Sequence, residues 1–233
     1  MGWDVSGGTA DDATVANLRT LQASEAEQLA EDETAIVVDV LRASTTITVA
    51  VAGGAREVVP VETPDQAREV AQRFEDPVLV GERARGSLDG FVDNSPAQVA
   101  REDVDGRPVV LTTTNGTRAL LASQGAGRVL VGCMANAEAL RRAVAGEDVA
   151  LVAAGWQGAR AEDDDVCCTF LAELCTGGNP DPASTAEELE RSTSARKLRE
   201  AGKGDDVDVC LAYDRYAVVP ELDEGSLIRA DER

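Results

Sequence analysis

Asp39 and Arg42 lie in the run Val-Asp-Val-Leu-Arg-Ala-Ser-Thr-Thr (38–46), where an apolar stretch gives way to hydroxyl residues that open a helix. The pattern joins a carboxylate, a guanidinium and a helix N-terminus, whose unpaired N–H groups and partial positive charge suit an anion. A carboxylate facing an anion alone repels it; one that holds a divalent cation does not. Ser44 and Thr45 are candidate substrate ligands, while the plainer reading has Ser44 capping the helix and Arg42 pairing with Asp39. A second stretch, Thr112-Thr113-Thr114-Asn115-Gly116-Thr117, sets hydroxyls, an amide and a glycine at a strand-to-helix junction. Such a loop supplies hydrogen-bond donors to a phosphate or sulfonate. It lacks the spacing and lysine of a Walker A loop, and its plainer use is for Thr114 or Asn115 to cap the next helix. Asn94 and Ser95 either cap a helix or reach the site.

The candidate ligands for a hard cation are Asp39, Glu82, Glu162 and Asp163. Magnesium takes oxygen ligands and keeps several waters, so two or three carboxylates suffice. One or both of Asp164 and Asp165 read instead as solvated residues of a helix first turn. The chain has no histidine, which removes Ser-His-Asp and Cys-His catalysis. The base or nucleophile then falls to a carboxylate, a thiol, a hydroxyl or metal-activated water, with Asp39 the expected ligand or base. The five cysteines form no C-x-x-C pair and read as reduced, buried thiols; Cys133, which follows a strand, has the best claim to a chemical role.

The elements that must position these residues alternate. Val-rich apolar runs at 35–41, 57–61, 78–81, 108–112, 128–132 and 149–154 read as strands covered on both faces. Helical patterns fall between them at 44–51, 64–74, 96–101, 117–123, 135–145 and 162–174. The alternation predicts a single α/β domain with a mainly parallel sheet and helices on both sides. In such a sheet ligands bind beyond the carboxyl ends of the strands, and the polar and glycine residues above follow strand ends, so they are expected at one sheet edge. Residues 1–34 form an acidic segment with helical spacing at Val15, Leu18, Leu21 and Leu29, expected to pack on the domain spanning 35–233. Residues 177–206 read as a peripheral helical excursion with one charged helix at 186–199.

With 43 acidic against 22 basic residues in 233, the chain carries −21 and has a pI near 4.3. That charge argues against nucleic acid and anionic membrane surfaces as partners. Its spread along the chain points to adaptation to high salt, where self-repulsion is screened. No apolar run approaches a membrane span and no signal peptide stands out, so the expected setting is the cytoplasm. A homodimer is compatible with a domain of this size, but the sequence does not specify one.

Together the segments 38–46, Gly-Glu-Arg (81–83), Asn-Ser-Pro (94–96), 112–120, Ala-Gly-Trp (154–156) with Glu-Asp-Asp (162–164), and Asp214-Arg215-Tyr216 with Val218-Val219-Pro220 resemble the 2-phosphosulfolactate phosphatase family. The resemblance runs in order over residues 35–225; Phe91-Val92-Asp93-Asn94 departs from the family's Phe-Asp-x-Gly-Asn stretch. It implies a three-layer α/β/α fold and magnesium-dependent hydrolysis of the phosphate ester of 3-sulfolactate, a step toward coenzyme M. The substrate expected is a small anionic phosphoester. The alternatives are another small phosphorylated acid, or a non-catalytic binder of anionic metabolites. In this frame Arg42 and the Thr112–Thr117 loop face the substrate, and Asp39, Glu82, Glu162 and Asp163 face the cation.

Overall fold

The computed structural model describes residues 14–83 and 86–232; residues 1–13 of the expected N-terminal segment lie outside the described residues. In chain order the strands are β1 (Asn17–Gln22), β2 (Thr34–Val38), β3 (Glu57–Pro60), β4 (Val78–Arg83), β5 (Gly86–Ser87), β6 (Pro108–Thr112), β7 (Arg128–Val131), β8 (Asp148–Ala153), β9 (Pro220–Asp223) and β10 (Ser226–Arg229). The helices are α1 (Ala43–Ala52), α2 (Pro64–Ala71), α3 (Pro96–Val99), α4 (Gly116–Ala122), α5 (Ala137–Ala143), α6 (Glu162–Cys175), α7 (Pro182–Arg191), α8 (Thr193–Glu200) and α9 (Gly204–Leu211). The result is a single α/β domain, as the alternation predicts.

One sheet runs in the order β1-β8-β2-β7-β9-β10-β3-β6-β4-β5. β1, β8, β2 and β7 form one parallel group, and β3, β6 and β4 a second. The C-terminal hairpin β9–β10 is inserted between them and pairs antiparallel with both. Through these antiparallel pairings the second group runs opposite to the first. The sheet is mainly parallel, as the alternation predicts, but the two groups do not present all their strand ends at one edge. They meet nonetheless: α1 and α4 pack into one core on the same face, and a β-carbon on Gly116 at the start of α4 would fall 2.5 Å from the Ala43 β-carbon at the start of α1.

That face is built from alternate strand residues. Ile36 and Val38 of β2 pack with Leu130, Leu151, Leu140 and Leu171 toward α5 and α6. Ala35 and Val37 point the other way, into a core with Ile47, Val51 and Leu120 that continues to Val58, Val109 and Leu111 of the second group. The helix α2 covers the back of the second group through Ala67, Ala71 and Val110. Residues Ala43–Val51 of α1 are all buried. The β-branched residues of this helix are modest helix formers, so burial on every side, rather than propensity, holds it.

The described part of the N-terminal segment corrects the helical reading: Leu18 and Leu21 belong to β1, which pairs with β8, and a 3₁₀ turn follows at Ala23–Gln28. The excursion is three short helices, α7 to α9, rather than one at 186–199. Ser192 breaks it: its backbone is extended and its hydroxyl accepts the Ala195 N–H at 3.1 Å, which starts α8 afresh.

Candidate functional site

The turn from β2 into α1 is fastened by Ser44. Its hydroxyl accepts the Asp39 N–H at 2.8 Å and donates to Val37 O at 3.1 Å. Thr45 likewise donates to Val40 O at 3.0 Å. Both hydroxyls, expected to bind substrate, are thus engaged in closing the turn and are buried. What the turn presents is Asp39. Its carboxylate accepts the Ala43 N–H at 3.3 Å and retains some solvent exposure. Burial, then the nearby charges of Glu82 and Asp163, push its pKa up to about 7, against the pull of backbone N–H donors. Gly116 lies directly over it: a β-carbon there would fall 2.8 Å from Asp39 Oδ2 and 2.5 Å from the Ala43 β-carbon. Only glycine allows the two loops to approach this closely.

Arg42 faces inward rather than toward an open anion site. It is 4% exposed, and its guanidinium donates to Glu82 at 2.5 Å, Asp93 at 2.9 Å and Asp206 at 2.8 Å. Five donors in a rigid fork make arginine suited to bridging several carboxylates. Burial lowers its pKa, but Glu82 and Asp93 outweigh that and raise it. Lys203 adds a second cation, with Nζ 2.7 Å from Asp93. Burial disfavours the charged form of Asp93, yet Lys203 and Arg42 hold its pKa below the ordinary value. Ser95 is also engaged: it donates to Asp206 and caps α3 by accepting the Gln98 N–H. Asp206 further accepts the Ala97 N–H at 3.2 Å. Asn94 is buried, and among the described residues its Oδ1, like Asp93 Oδ1, has no hydrogen-bond partner.

In the threonine loop, Thr113 and Thr117 cap each other: the Thr117 N–H reaches Thr113 Oγ1 at 3.1 Å, and the Thr117 hydroxyl donates to Thr113 O at 2.9 Å. Thr112 accepts from Arg83 at 2.7 Å. The candidates left facing outward are Thr114 and Asn115, both half-buried, with Asn115 Oδ1 accepting the Gln157 N–H at 3.1 Å. A cavity of about 290 Å³ borders Asn115 on its Arg118 side; none of the carboxylates lines it.

The first turn of α6 bears on two readings. Asp164 is buried, not solvated, and ties two loops together by accepting the Val40 N–H at 3.0 Å and the Gly155 N–H at 2.9 Å. Burial, then Asp39 and Asp163, raise its pKa well above the ordinary value. Glu162, a predicted cation ligand, is exposed at the start of α6, where its charge reaches Asp163. Asp163 is buried, accepts from Ser194 at 2.9 Å, and has its pKa raised chiefly by burial. Glu82 and Asp163 each come within electrostatic reach of Asp39. Among the described residues, no three acidic or cysteine side chains already close into a coordination sphere.

All five thiols are buried. Burial raises the pKa of Cys133, which lies 3.6 Å from Thr48 Oγ1 and 3.4 Å from Asn136 Oδ1. A protonated, enclosed thiol is a poor nucleophile, so Cys133 is structural. The sequence reading misses Asp206, Lys203 and Asp164. A signal for Asp206 exists in retrospect: it stands with Val207 and Cys210 on the buried face of α9, an acid set in an apolar stripe.

The model of the 2-phosphosulfolactate phosphatase family matches residues 19–225. A probable 2-phosphosulfolactate phosphatase of Symbiobacterium thermophilum is 36% identical over 227 residues, covering 87% of this chain and 96% of that protein. Proteins with the same description from Caldanaerobacter subterraneus subsp. tengcongensis and Clostridium beijerinckii are 32% and 31% identical, covering 84% and 86% of this chain and 90% and 93% of their own lengths. With its motifs in order and the match spanning most of its length, the chain belongs to the 2-phosphosulfolactate phosphatase family, a family of phosphoric monoester hydrolases.

Proposed function

We propose that this chain hydrolyses 2-phospho-3-sulfolactate to 3-sulfolactate and phosphate, with magnesium as its cation, and so serves a route toward coenzyme M. The observation that carries the reading is Asp39, a carboxylate set near Glu82 and Asp163 with its pKa raised to about 7. Carboxylates crowded in this way repel one another unless a cation joins them. The oxygen-only donor set of Asp39, Glu82 and Asp163 fits magnesium. Asp39, Glu82 and Asp163 are the residues that would hold it. Bound there, magnesium would offset the negative charge of the transferring phosphoryl group.

The rest of the chemistry falls to the chain. Arg42 holds Glu82 in place and neutralises the buried carboxylates behind it. Thr114, Asn115 and the loop backbone face the phosphoryl oxygens and stabilise their charge. Water attacks phosphorus, the ester P–O bond breaks, and the leaving oxygen takes up a proton. With a pKa near neutrality, Asp39 is suited to act as base or ligand. The test is a phosphate-release screen of small phosphoesters in molar KCl, with and without magnesium. Release from 2-phospho-3-sulfolactate that stops on chelation and returns with magnesium is expected; undiminished release after exhaustive chelation overturns the magnesium assignment.

A further inference from the structure

The chain holds two lysines, Lys197 and Lys203, against twenty arginines. Both lie on the α8–α9 segment, and Lys203 is committed to Asp93. Lys197 is different. It is exposed, and its ammonium sits 5.4 Å from the centre of the Trp156 ring. Among the described residues it has no carboxylate partner, although the chain carries 43 acidic residues. Trp156 is itself unusual: it is 54% exposed and, with Tyr213, one of two large apolar side chains left on the described surface.

The connections around the pair place it at the rim of the site. Ser194, one helical turn before Lys197 and on the same side of α8, donates to Asp163 at 2.9 Å. Gly155, just before Trp156, donates its N–H to Asp164 at 2.9 Å, and Gln157, just after, donates to Asn115 at 3.1 Å. The tip between them is a tight turn with positive φ at Gly155, Gln157 and Gly158. Trp156 is thus held outward over the junction of the threonine loop and the first turn of α6.

We propose that Lys197, resting on Trp156, forms the subsite for the second acidic group, a sulfonate or carboxylate, of the phosphoester. The inference rests on the proposed phosphatase reading and assigns a specificity residue within it. A lysine ammonium is a compact charge on a flexible stem, and its contact with an exposed ring is weak. An incoming acid can draw it from the ring into a charge-assisted hydrogen bond.

The test compares the parent with Lys197→Met and Lys197→Arg, using 2-phospho-3-sulfolactate, 2-phospholactate and isopropyl phosphate. The ratio of kcat/KM for the first over the last should fall roughly ten- to a hundredfold in K197M and largely recover in K197R. A matching fall for 2-phospholactate assigns the contact to the carboxylate; a fall confined to the sulfonated ester assigns it to the sulfonate. A ratio equal to the parent's overturns the proposal. Calorimetric titration with 3-sulfolactate supplies a readout independent of turnover. Binding by the parent at least about tenfold tighter than by K197M supports the subsite; equal affinity, or no binding by the parent, overturns it. Binding that depends on Lys197 without phosphate release from any ester would overturn the phosphatase reading and leave the subsite standing.

Discussion

At pH 8 a charged Asp39 opposes folding. Its pKa is about 7 in the folded chain against an ordinary 3.8, so the folded state keeps a proton that the unfolded state releases between these values. Its contribution to stability is fullest below the unfolded pKa and is lost as pH rises through about 7. Asp39→Asn removes this term while its side-chain oxygen still accepts the Ala43 N–H. In metal-free buffer at pH 8 the variant should be more stable than the parent by about 1–3 kcal/mol, with the gap narrowing toward pH 4. Urea unfolding across pH checks this, and a variant less stable at pH 8 contradicts it. Arg42 behaves oppositely. Arg42→Ala leaves Glu82, Asp93 and Asp206 without their shared cation, and breaking a buried pair in this way costs about 3–5 kcal/mol. Unfolding by urea should show the loss; a stability within error of the parent would mean that Arg42 is not the network's keystone.

At the scale of elements, much of the fold is legible in the sequence. Runs such as Ala-Ile-Val-Val and Val-Val-Leu are short, apolar and bounded by breaks; they form β6 at its predicted limits and β2, which ends at Val38, three residues before its predicted end, where the turn to α1 begins. The hairpin β9–β10 is not legible. Its strands have four residues each, one opens with Pro220, and Glu221 is buried against Arg128 at 2.9 Å. A charged residue in a sheet interior carries no strand signal until its partner is known. β1 is missed because Val15, Leu18 and Leu21 are spaced by three and mimic a helix face. The site divides in the same way. Asp39, Asp163 and the threonine loop follow from their positions after strands, whereas Arg42's partners come from β4, the stretch before α3 and α9, and no local pattern joins these. The hairpin also makes a prediction. Deleting residues 218–233 removes the strands that pair with β7 and β3 and leaves both edges open. The truncated chain should aggregate on size-exclusion chromatography; a monodisperse, fully folded product would contradict the role given to the hairpin.

At the scale of the whole molecule, charge dominates. A net −21 on 233 residues makes the compact state repel itself at low ionic strength. Screening shortens the reach of that repulsion to about 3 Å near 1 M salt, so the melting temperature should rise between about 0.1 M and about 2 M KCl. A flat or falling melting temperature would give the acidity another purpose. Among the described residues no helix is long and apolar enough to cross a membrane. The same surplus of acid makes the local arrangement at Asp39 informative only if it binds a cation selectively. The direct measurement is calorimetric titration of the parent and Asp39→Asn with magnesium in molar KCl, beside phosphate release from 2-phospho-3-sulfolactate. The parent should bind magnesium saturably and turn over, while the variant should lose both by at least about tenfold. An Asp39→Asn protein that binds magnesium as the parent does and releases phosphate at the parent rate would contradict the assignment of Asp39 to the centre of the site.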